Sequence, residues 1–323
     1  MTGAPPRPAW QVWLRRLAPW VMTAAAVFFI LREYPVDQIV AEMQRGDALP
    51  MVPIGIGLTF SVLAMVALWD WVVLFGMLGG PRYWDVIRAK GGMGVLLTLG
   101  YGFGHGGYGV WIARATRATV AEAIGVTLYI SASDLCALCL VATGMIHIGG
   151  ADVPRSLAIA APSLAGVLVL FTLVGPFQKT QRPRVFAPWR LLSRKRQLAN
   201  IAGRTVNISF IVVMTWLATR AFGLEIPFDV MSSYLPLIML VGSLPINIAG
   251  FGPVQGMWLL FEPWASGPSL LAFQFLWHLV IASGLVLRGL PFIRRVVTEI
   301  AEGKAAADRA DAQDDAQIVG QDS

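Results

Sequence analysis

Two glycine-rich segments of the chain hold the residues best suited to binding a ligand. The first reads GYGFGHGGYG over residues 100–109, and the second reads SLPINIAGFGP over residues 243–253. Glycine leaves backbone N–H groups open and the start of a helix adds partial positive charge, so each segment can form a pocket for an anionic group. The ligand-binding candidates in and beside these segments are Gly102, Gly104, His105, Gly250, Gly252, Pro253 and Gln255.

The second segment suits the start of a half-helix that points at a polar ligand. Pro253 fits the first helical turn, where a backbone N–H has no helical partner. The amide of Gln255 can donate and accept hydrogen bonds, which fits a polar ligand and would equally serve to bridge two half-helices. The G-x-G-x-x-G spacing at residues 102–107 does not indicate a dinucleotide site, because no predicted strand or βαβ unit surrounds it.

Charged residues within or beside apolar runs are the other candidates. Asp134 lies near the middle of such a run, where a carboxylate costs roughly 2.5 to 3.5 kcal/mol, so it is expected to face a partner or a cavity. Proton coupling, headgroup contact and a structural hydrogen bond all remain open for it. Asp70 is expected to face the membrane interface. Arg114 and Arg117 could attract anionic headgroups, although the usual placement of cations in cytoplasmic loops already accounts for them.

The spacing of the remaining reactive residues gives no support for catalysis. The three histidines lack the spacing of metal ligands, and no nucleophile, base and carboxylate arrangement is visible. Cys136 and Cys139 lie in an apolar stretch and are expected to be a structural helix face. We therefore predict no enzyme activity, no cofactor and no metal. The cations behind the net charge of +6 sit in short clusters between apolar runs, so no nucleic-acid partner is expected.

Apolar runs must form the elements that position these residues. Hydrophobic residues make up 56% of the 323 residues, charged residues make up 14%, and the mean hydropathy is +0.64, which indicates a membrane protein. The runs cover residues 17–31, 51–80, 91–113, 120–151, 156–178, 205–219, 230–261 and 263–287. We expect an all-α, polytopic membrane helical bundle over residues 1–300 and a disordered cytoplasmic tail over residues 301–323.

Loop charges decide how these runs cross the bilayer. The loop from Lys179 to Arg196 is rich in Lys and Arg and has no acidic residue, so it should be cytoplasmic. If every run crossed once, this loop would lie outside. Six crossings plus two re-entrant broken hairpins, at residues 91–113 and 230–261, place every basic loop and both termini in the cytoplasm. The second of these runs would make a helix of about 48 Å, against a hydrocarbon core of about 30 Å, so a break is expected there.

The two breaks also resemble each other in sequence. Residues 102–111 read GFGHGGYGVW and residues 250–258 read GFGPVQGMW. Paired interruptions that come from opposite faces are typical of an inverted repeat with a binding site near the midplane, and coincidence is the alternative in so glycine-rich a chain.

The same segments resemble a known membrane family. LPINIAGFGPVQGMWLLF at Leu244–Phe261 and GHGGYGVWIARATRATVAEAIGVTLYISASDL at Gly104–Leu135 resemble signatures of the flippase-like family that includes the membrane region of lysylphosphatidylglycerol synthases. The resemblance covers most of residues 36–295. It differs at Gln255, where the family usually has Glu, and at Ser131–Ser133, which lack the usual Arg before Asp134. No aminoacyl-transferase domain follows, so we expect no synthase activity.

This resemblance implies that the chain moves a phospholipid or another amphipathic lipid across the cytoplasmic membrane. Some relatives are linked to glycolipid or hopanoid biosynthesis. A non-catalytic assembly partner of an envelope-biosynthesis enzyme and a small-solute secondary transporter are the alternatives. A membrane lipid is the expected partner, and the oligomeric state stays open.

Overall fold

The structure, a computed structural model, describes residues 20–21, 23–25, 27–99, 101–148, 153–174, 184–186, 188–243 and 253–321. Most of these residues are helical. From Val36 onward the α-helices are α1 (Val36–Arg45), α2 (Met51–Leu78), α3 (Tyr83–Leu99), α4 (Tyr101–Thr116), α5 (Val120–Ile148), α6 (Arg155–Val174), α7 (Arg194–Phe222), α8 (Phe228–Gly242), α9 (Pro253–Trp258) and α10 (Gly267–Gln321). Residues 20–21, 23–25 and 27–33 are also helical. Short 3₁₀ helices cover Arg184–Phe186, Pro188–Arg190 and Leu259–Phe261. No strand occurs among these residues.

Four of these helices are long and apolar enough to cross a membrane. They are α2, α5, α7 and the Gly267–Glu302 part of α10. Shorter apolar helices cover Ala158–Leu173 within α6 and Phe228–Gly242. The expectation of an all-α protein is therefore confirmed over the described residues, and the four long apolar helices are consistent with a membrane bundle.

Glycines end two of the spanning helices. Gly79 follows α2 with φ +65°, and Gly223 follows α7 with φ +94°. This left-handed conformation is one that residues with a Cβ adopt only at a cost, and glycine adopts it freely. The two glycines thus let the chain leave each helix at a fixed residue.

Helices α3 and α4 form an antiparallel hairpin that reverses near residue 100. A Cβ added to Gly104 would lie 2.5 Å from Cγ of Leu97, and one added to Gly107 would lie 3.1 Å from Sδ of Met93. Both residue pairs, Leu97 with Gly104 and Met93 with Gly107, are centred near residue 100 in sequence, as expected for two antiparallel helices. The start of α3 and the end of α4 therefore lie at the same end of the hairpin.

The second glycine-rich segment also joins two antiparallel stretches. A Cβ on Gly242, at the end of α8, would lie 3.6 Å from Cγ2 of Val254 in α9. Further from the break, the rings of Tyr234 and Phe261 are 6.0 Å apart. Residues 244–252, which connect the two stretches and include Gly250 and Gly252, lie outside the described residues.

The buried apolar side chains form two large clusters. One includes Met51, Val141, Ile208, Tyr234 and Phe273, and the other includes Val73, Met93, Trp111, Ile130 and Trp189. Helix α5 contributes to both. Its last residue in the second cluster is Ile130, and its first residue in the first cluster is Ala137. Asp134 lies in the interval between them.

Helix α10 packs closely on α3 and continues to Gln321. A Cβ on Gly92 of α3 would lie 3.0 Å from Cβ of Val296. The helix runs on through residues 301–321, which the sequence analysis assigned to a disordered tail. Alanine is abundant in this stretch and has the highest helix propensity, which explains the continuation.

The closest backbone approach between α3 and α10 gives a test of this packing. A Cβ on Gly289 would lie 2.5 Å from the carbonyl oxygen of Gly91, so Gly289→Ala must push the two helices apart. We expect a loss of about 1–3 kcal/mol, measured by thermal unfolding in detergent. Gly57→Ala on α2 is the matched control, because nothing lies within 4 Å of its added Cβ. Equal stability of the two variants would contradict the packing.

Candidate functional site

A buried arginine at the centre of the bundle contacts two aspartates. Nη2 of Arg204 lies 2.5 Å from Oδ1 of Asp70, and Nη1 lies 2.5 Å from Oδ1 of Asp134. Nε donates to Oδ1 of Asn200 at 2.9 Å. The side chain of Arg204 is only 1% exposed, so these three partners take the place of water around its charge.

A lysine from the first hairpin completes the group, which we call the ionic cluster: Asp70, Lys90, Asp134 and Arg204. Nζ of Lys90 lies 2.6 Å from Oδ2 of Asp70, and the lysine is 17% exposed. Two positive and two negative charges make the cluster formally neutral. It ties together α2, α3, α5 and α7, because each helix supplies one charge.

Local sequence explains how α2 and α7 come close enough for this contact. A Cβ on Gly203 would lie 1.8 Å from Cε2 of Trp69, so only glycine fits beside the residue that precedes Asp70. Asn200 and Arg204 are four residues apart and therefore lie on one face of α7. That face carries a series of buried polar side chains at helical spacing: Gln197, Asn200, Arg204, Asn207, Thr215 and Thr219.

The ionic cluster is open at one point. The side chain of Asp134 is 38% exposed although its partner Arg204 is almost fully buried. Asp134 lies halfway along the 29 residues of α5, so this opening is at mid-span. A polar surface is thus accessible at a depth where a lipid-facing helix would show only apolar side chains.

Aromatic residues connect the cluster to the end of the hairpin. Nζ of Lys90 lies 4.0 Å from the ring centroid of Tyr108, which is a cation–π contact. The ring of Tyr108 stacks on Trp111 at 5.6 Å and 8°. Trp111 in turn donates to Oε2 of Glu299 at 3.1 Å.

Glu299 and Trp111 belong to the wall of a cavity of about 510 Å³ at the basic end of the hairpin. This volume is within the range of small-ligand sites, roughly 300–1,000 Å³. Its charged lining residues are Arg82, Arg88, Arg114, Arg295, Asp85 and Glu299, four arginines and two carboxylates, which leaves a formal charge of +2. Apolar side chains, among them Phe292 and Val296, form the rest of the wall. The arginine-lined cavity can therefore hold a group that is anionic on one side and apolar on the other.

Of the two arginines predicted to attract anionic headgroups, Arg114 is part of the wall of this cavity and Arg117 is not. Arg114 lines it, forms an ion pair with Glu302 and donates to the carbonyl oxygen of Glu299 at 2.9 Å. Arg117 follows the end of α4 with φ 54° and is exposed, and it is not part of the cavity wall.

The structure describes only some of the ligand-binding candidates in the two glycine-rich segments. Gly104 is buried in α4 against Leu97, so it serves close packing within the hairpin. Gly102 and His105 lie in α4, and their side-chain positions are outside the described residues, as are Gly250 and Gly252. Pro253 is the first residue of α9, as expected of a proline at a helix start. Gln255 is buried in the same helix.

Sequence reasoning located one part of the site and missed others. Asp134 was expected to face a partner, and that partner is Arg204. Asp70 was expected at the membrane interface, and this is wrong: it is fully buried, because Lys90 and Arg204 neutralise it. Arg204 and Lys90 were missed, because each adjoins an apolar run, where the usual distribution of loop cations already accounts for a positive charge. The polar series along α7 is the signal that could have revealed Arg204.

The described residues hold no group of three or more His, Cys, Asp or Glu that could bind a metal ion. Cys136 and Cys139 are both buried and unbridged on α5.

Neutralising charges in the ionic cluster one at a time and together gives a direct test. Arg204→Gln leaves Asp134 without its counter-charge, and we expect a loss of about 3–5 kcal/mol in unfolding free energy. Adding Asp134→Asn removes the stranded carboxylate and should restore part of that loss, as read from denaturation in detergent.

Arg220→Gln serves as the control, since it makes the same change at an exposed position of α7. It should alter the free energy by no more than about 0.5 kcal/mol. Strict additivity of the Arg204 and Asp134 changes would show that the two residues are not coupled.

No family model matches the chain, and no curated protein matches it. The resemblance to the flippase-like family stays a prediction that rests on the two glycine-rich segments.

Proposed function

We propose that this protein moves a phospholipid with an anionic headgroup, or another amphipathic lipid of that kind, across the cytoplasmic membrane. The observation that carries the proposal is the arginine-lined cavity beside the ionic cluster. An arginine binds a phosphate through two parallel hydrogen bonds, and four arginines surround the cavity. Its apolar wall suits the part of the lipid next to the headgroup.

The topology we propose is six crossings with two re-entrant hairpins and both ends in the cytoplasm. The antiparallel pairing of α3 with α4 supports it, since Arg82 and Arg114 then lie at one end, as the distribution of loop charges requires. The antiparallel contacts of Gly242 with Val254 and of Tyr234 with Phe261 support a second hairpin. Under this topology the arginine-lined cavity faces the cytoplasm.

The barrier to lipid movement is the transfer of a charged headgroup through hydrocarbon. Burying an unpaired charge is costly, and polar groups inside the protein lower that cost by replacing water. The ionic cluster supplies such groups, and the exposure of Asp134 gives access to them at mid-span. The headgroup would pass along this polar interior while the acyl chains stay in the bilayer.

The cavity also suggests which lipids are preferred. With a formal charge of +2 on its wall, it should take an anionic phosphodiester such as phosphatidylglycerol in preference to a zwitterionic lipid. The ion pairs of Arg114 with Glu302 and of Arg295 with Glu299 hold two guanidinium groups in position before the lipid arrives.

Reconstitution tests this function. Vesicles with purified protein and a trace of acyl-labelled fluorescent phosphatidylglycerol are exposed to dithionite, which bleaches only the outer leaflet. We expect faster loss of the protected fluorescence than in empty vesicles, and a smaller effect with labelled phosphatidylcholine. The double variant Arg88→Gln/Arg114→Gln should reduce the rate for phosphatidylglycerol by at least about tenfold.

Arg220→Gln is the matched control and should transport at the wild-type rate, because Arg220 is exposed and lies outside the cavity wall. No acceleration over empty vesicles with any lipid in a broad panel would overturn the proposed function.

A further inference from the structure

A second buried arginine differs from Arg204 in its surroundings. Arg288 on α10 is 9% exposed, and Nη1 donates to the carbonyl oxygen of Thr59. Its Nε is buried and has no hydrogen-bond partner among the described residues. Among the residues that the structure describes, no carboxylate forms an ion pair with Arg288.

This difference matters because a guanidinium group stays charged in a protein interior. Arg204 has two carboxylates, whereas Arg288 has one carbonyl oxygen and lies within a helix that can span the membrane. A buried charge without a counter-charge is strongly unfavourable. A binding partner that brings a negative charge would remove this cost.

The position of Arg288 places it directly inward from the arginine-lined cavity. Phe292, on the cavity wall, lies one turn further along α10, a rise of about 6 Å. On the facing helix, Gly94 is one turn beyond Lys90, and a Cβ added to Gly94 would lie 3.5 Å from Nε and Nη2 of Arg288. Because Gly94 has no side chain, the guanidinium lies against bare backbone.

We propose that Arg288 binds the anionic phosphate of the lipid headgroup after it leaves the arginine-lined cavity, so that the headgroup supplies the missing counter-charge. This inference rests on the proposed function and adds a second binding position to it. Free inorganic phosphate has the same charge chemistry, so the experiment must separate it from the lipid.

The melting temperature of the purified protein in a neutral detergent reports ligand binding at Arg288 and does not require lipid transport. Dihexanoyl phosphatidylglycerol, dihexanoyl phosphatidylcholine and inorganic phosphate are added separately to the wild type, to Arg288→Gln and to the control Arg220→Gln. A ligand that binds only the folded state raises the melting temperature. We expect phosphatidylglycerol to raise it for the wild type and the control. The shift for Arg288→Gln should be smaller, because this variant keeps only the arginine-lined cavity as a binding position.

Without lipid, Arg288→Gln should melt no lower than the wild type, because the substitution removes a buried charge that no carboxylate among the described residues neutralises. A lower melting temperature would give Arg288 a structural role and overturn the proposal. Equal stabilisation of Arg288→Gln and the wild type by phosphatidylglycerol would overturn it as well. Stabilisation of the wild type by inorganic phosphate alone would assign the site to a free anion and overturn the lipid assignment.

The two proposals fail in different ways. If phosphatidylglycerol stabilises the wild type more than Arg288→Gln, the anion site stands even when reconstituted protein moves no lipid. If phosphatidylglycerol stabilises neither, the Arg288 site is overturned even when transport is observed.

Discussion

The contact of Arg204 with Asp70 and Asp134 is the interaction on which the rest of this structure depends. A guanidinium group without a counter-charge is strongly unfavourable in a low-dielectric interior, so the two aspartates from neighbouring helices stabilise the buried Arg204. Lys90 extends the same constraint to the first hairpin through Asp70. The packing of α2, α3, α5 and α7 is therefore set by charge pairing as well as by the two apolar clusters on either side.

The same constraint connects structure to the proposed function. A bilayer protein whose interior were only apolar would give a charged headgroup no lower barrier than the lipid itself. Here, an aromatic stack of Trp111 and Tyr108 and a cation–π contact of Tyr108 with Lys90 connect the arginine-lined cavity to the ionic cluster. Arg288, which lies further inward, has no carboxylate partner among the described residues. Lys90 and Arg204 are thus neutralised by carboxylates, whereas no described carboxylate neutralises Arg288. An anionic substrate would therefore be stabilised most at Arg288.

Much of the fold follows from the sequence, because long apolar runs and clustered cations have few arrangements in a membrane. The runs at 51–80 and 120–151 correspond to α2 and α5, and the glycines near residue 100 correspond to the reversal between α3 and α4. Asp134 was recognisable because it is an isolated carboxylate in an apolar run. Arg204, Lys90 and Arg288 were not, because each adjoins an apolar run and a cation there is equally explained by topology. Only tertiary packing shows that α7 begins at Arg194 and carries Arg204 into the bundle.

Whether the first hairpin returns to the side from which it enters is the question on which this account depends most. In a background with Cys136→Ala and Cys139→Ala, single cysteines at Arg82, Thr116 and Asp47 can be labelled with an impermeant maleimide in sealed vesicles of known orientation. A re-entrant hairpin predicts that Arg82→Cys and Thr116→Cys react from one side and Asp47→Cys from the other. Labelling of Thr116→Cys from the same side as Asp47→Cys would show that the segment crosses the membrane, and would contradict the re-entrant hairpin and the headgroup path built on it.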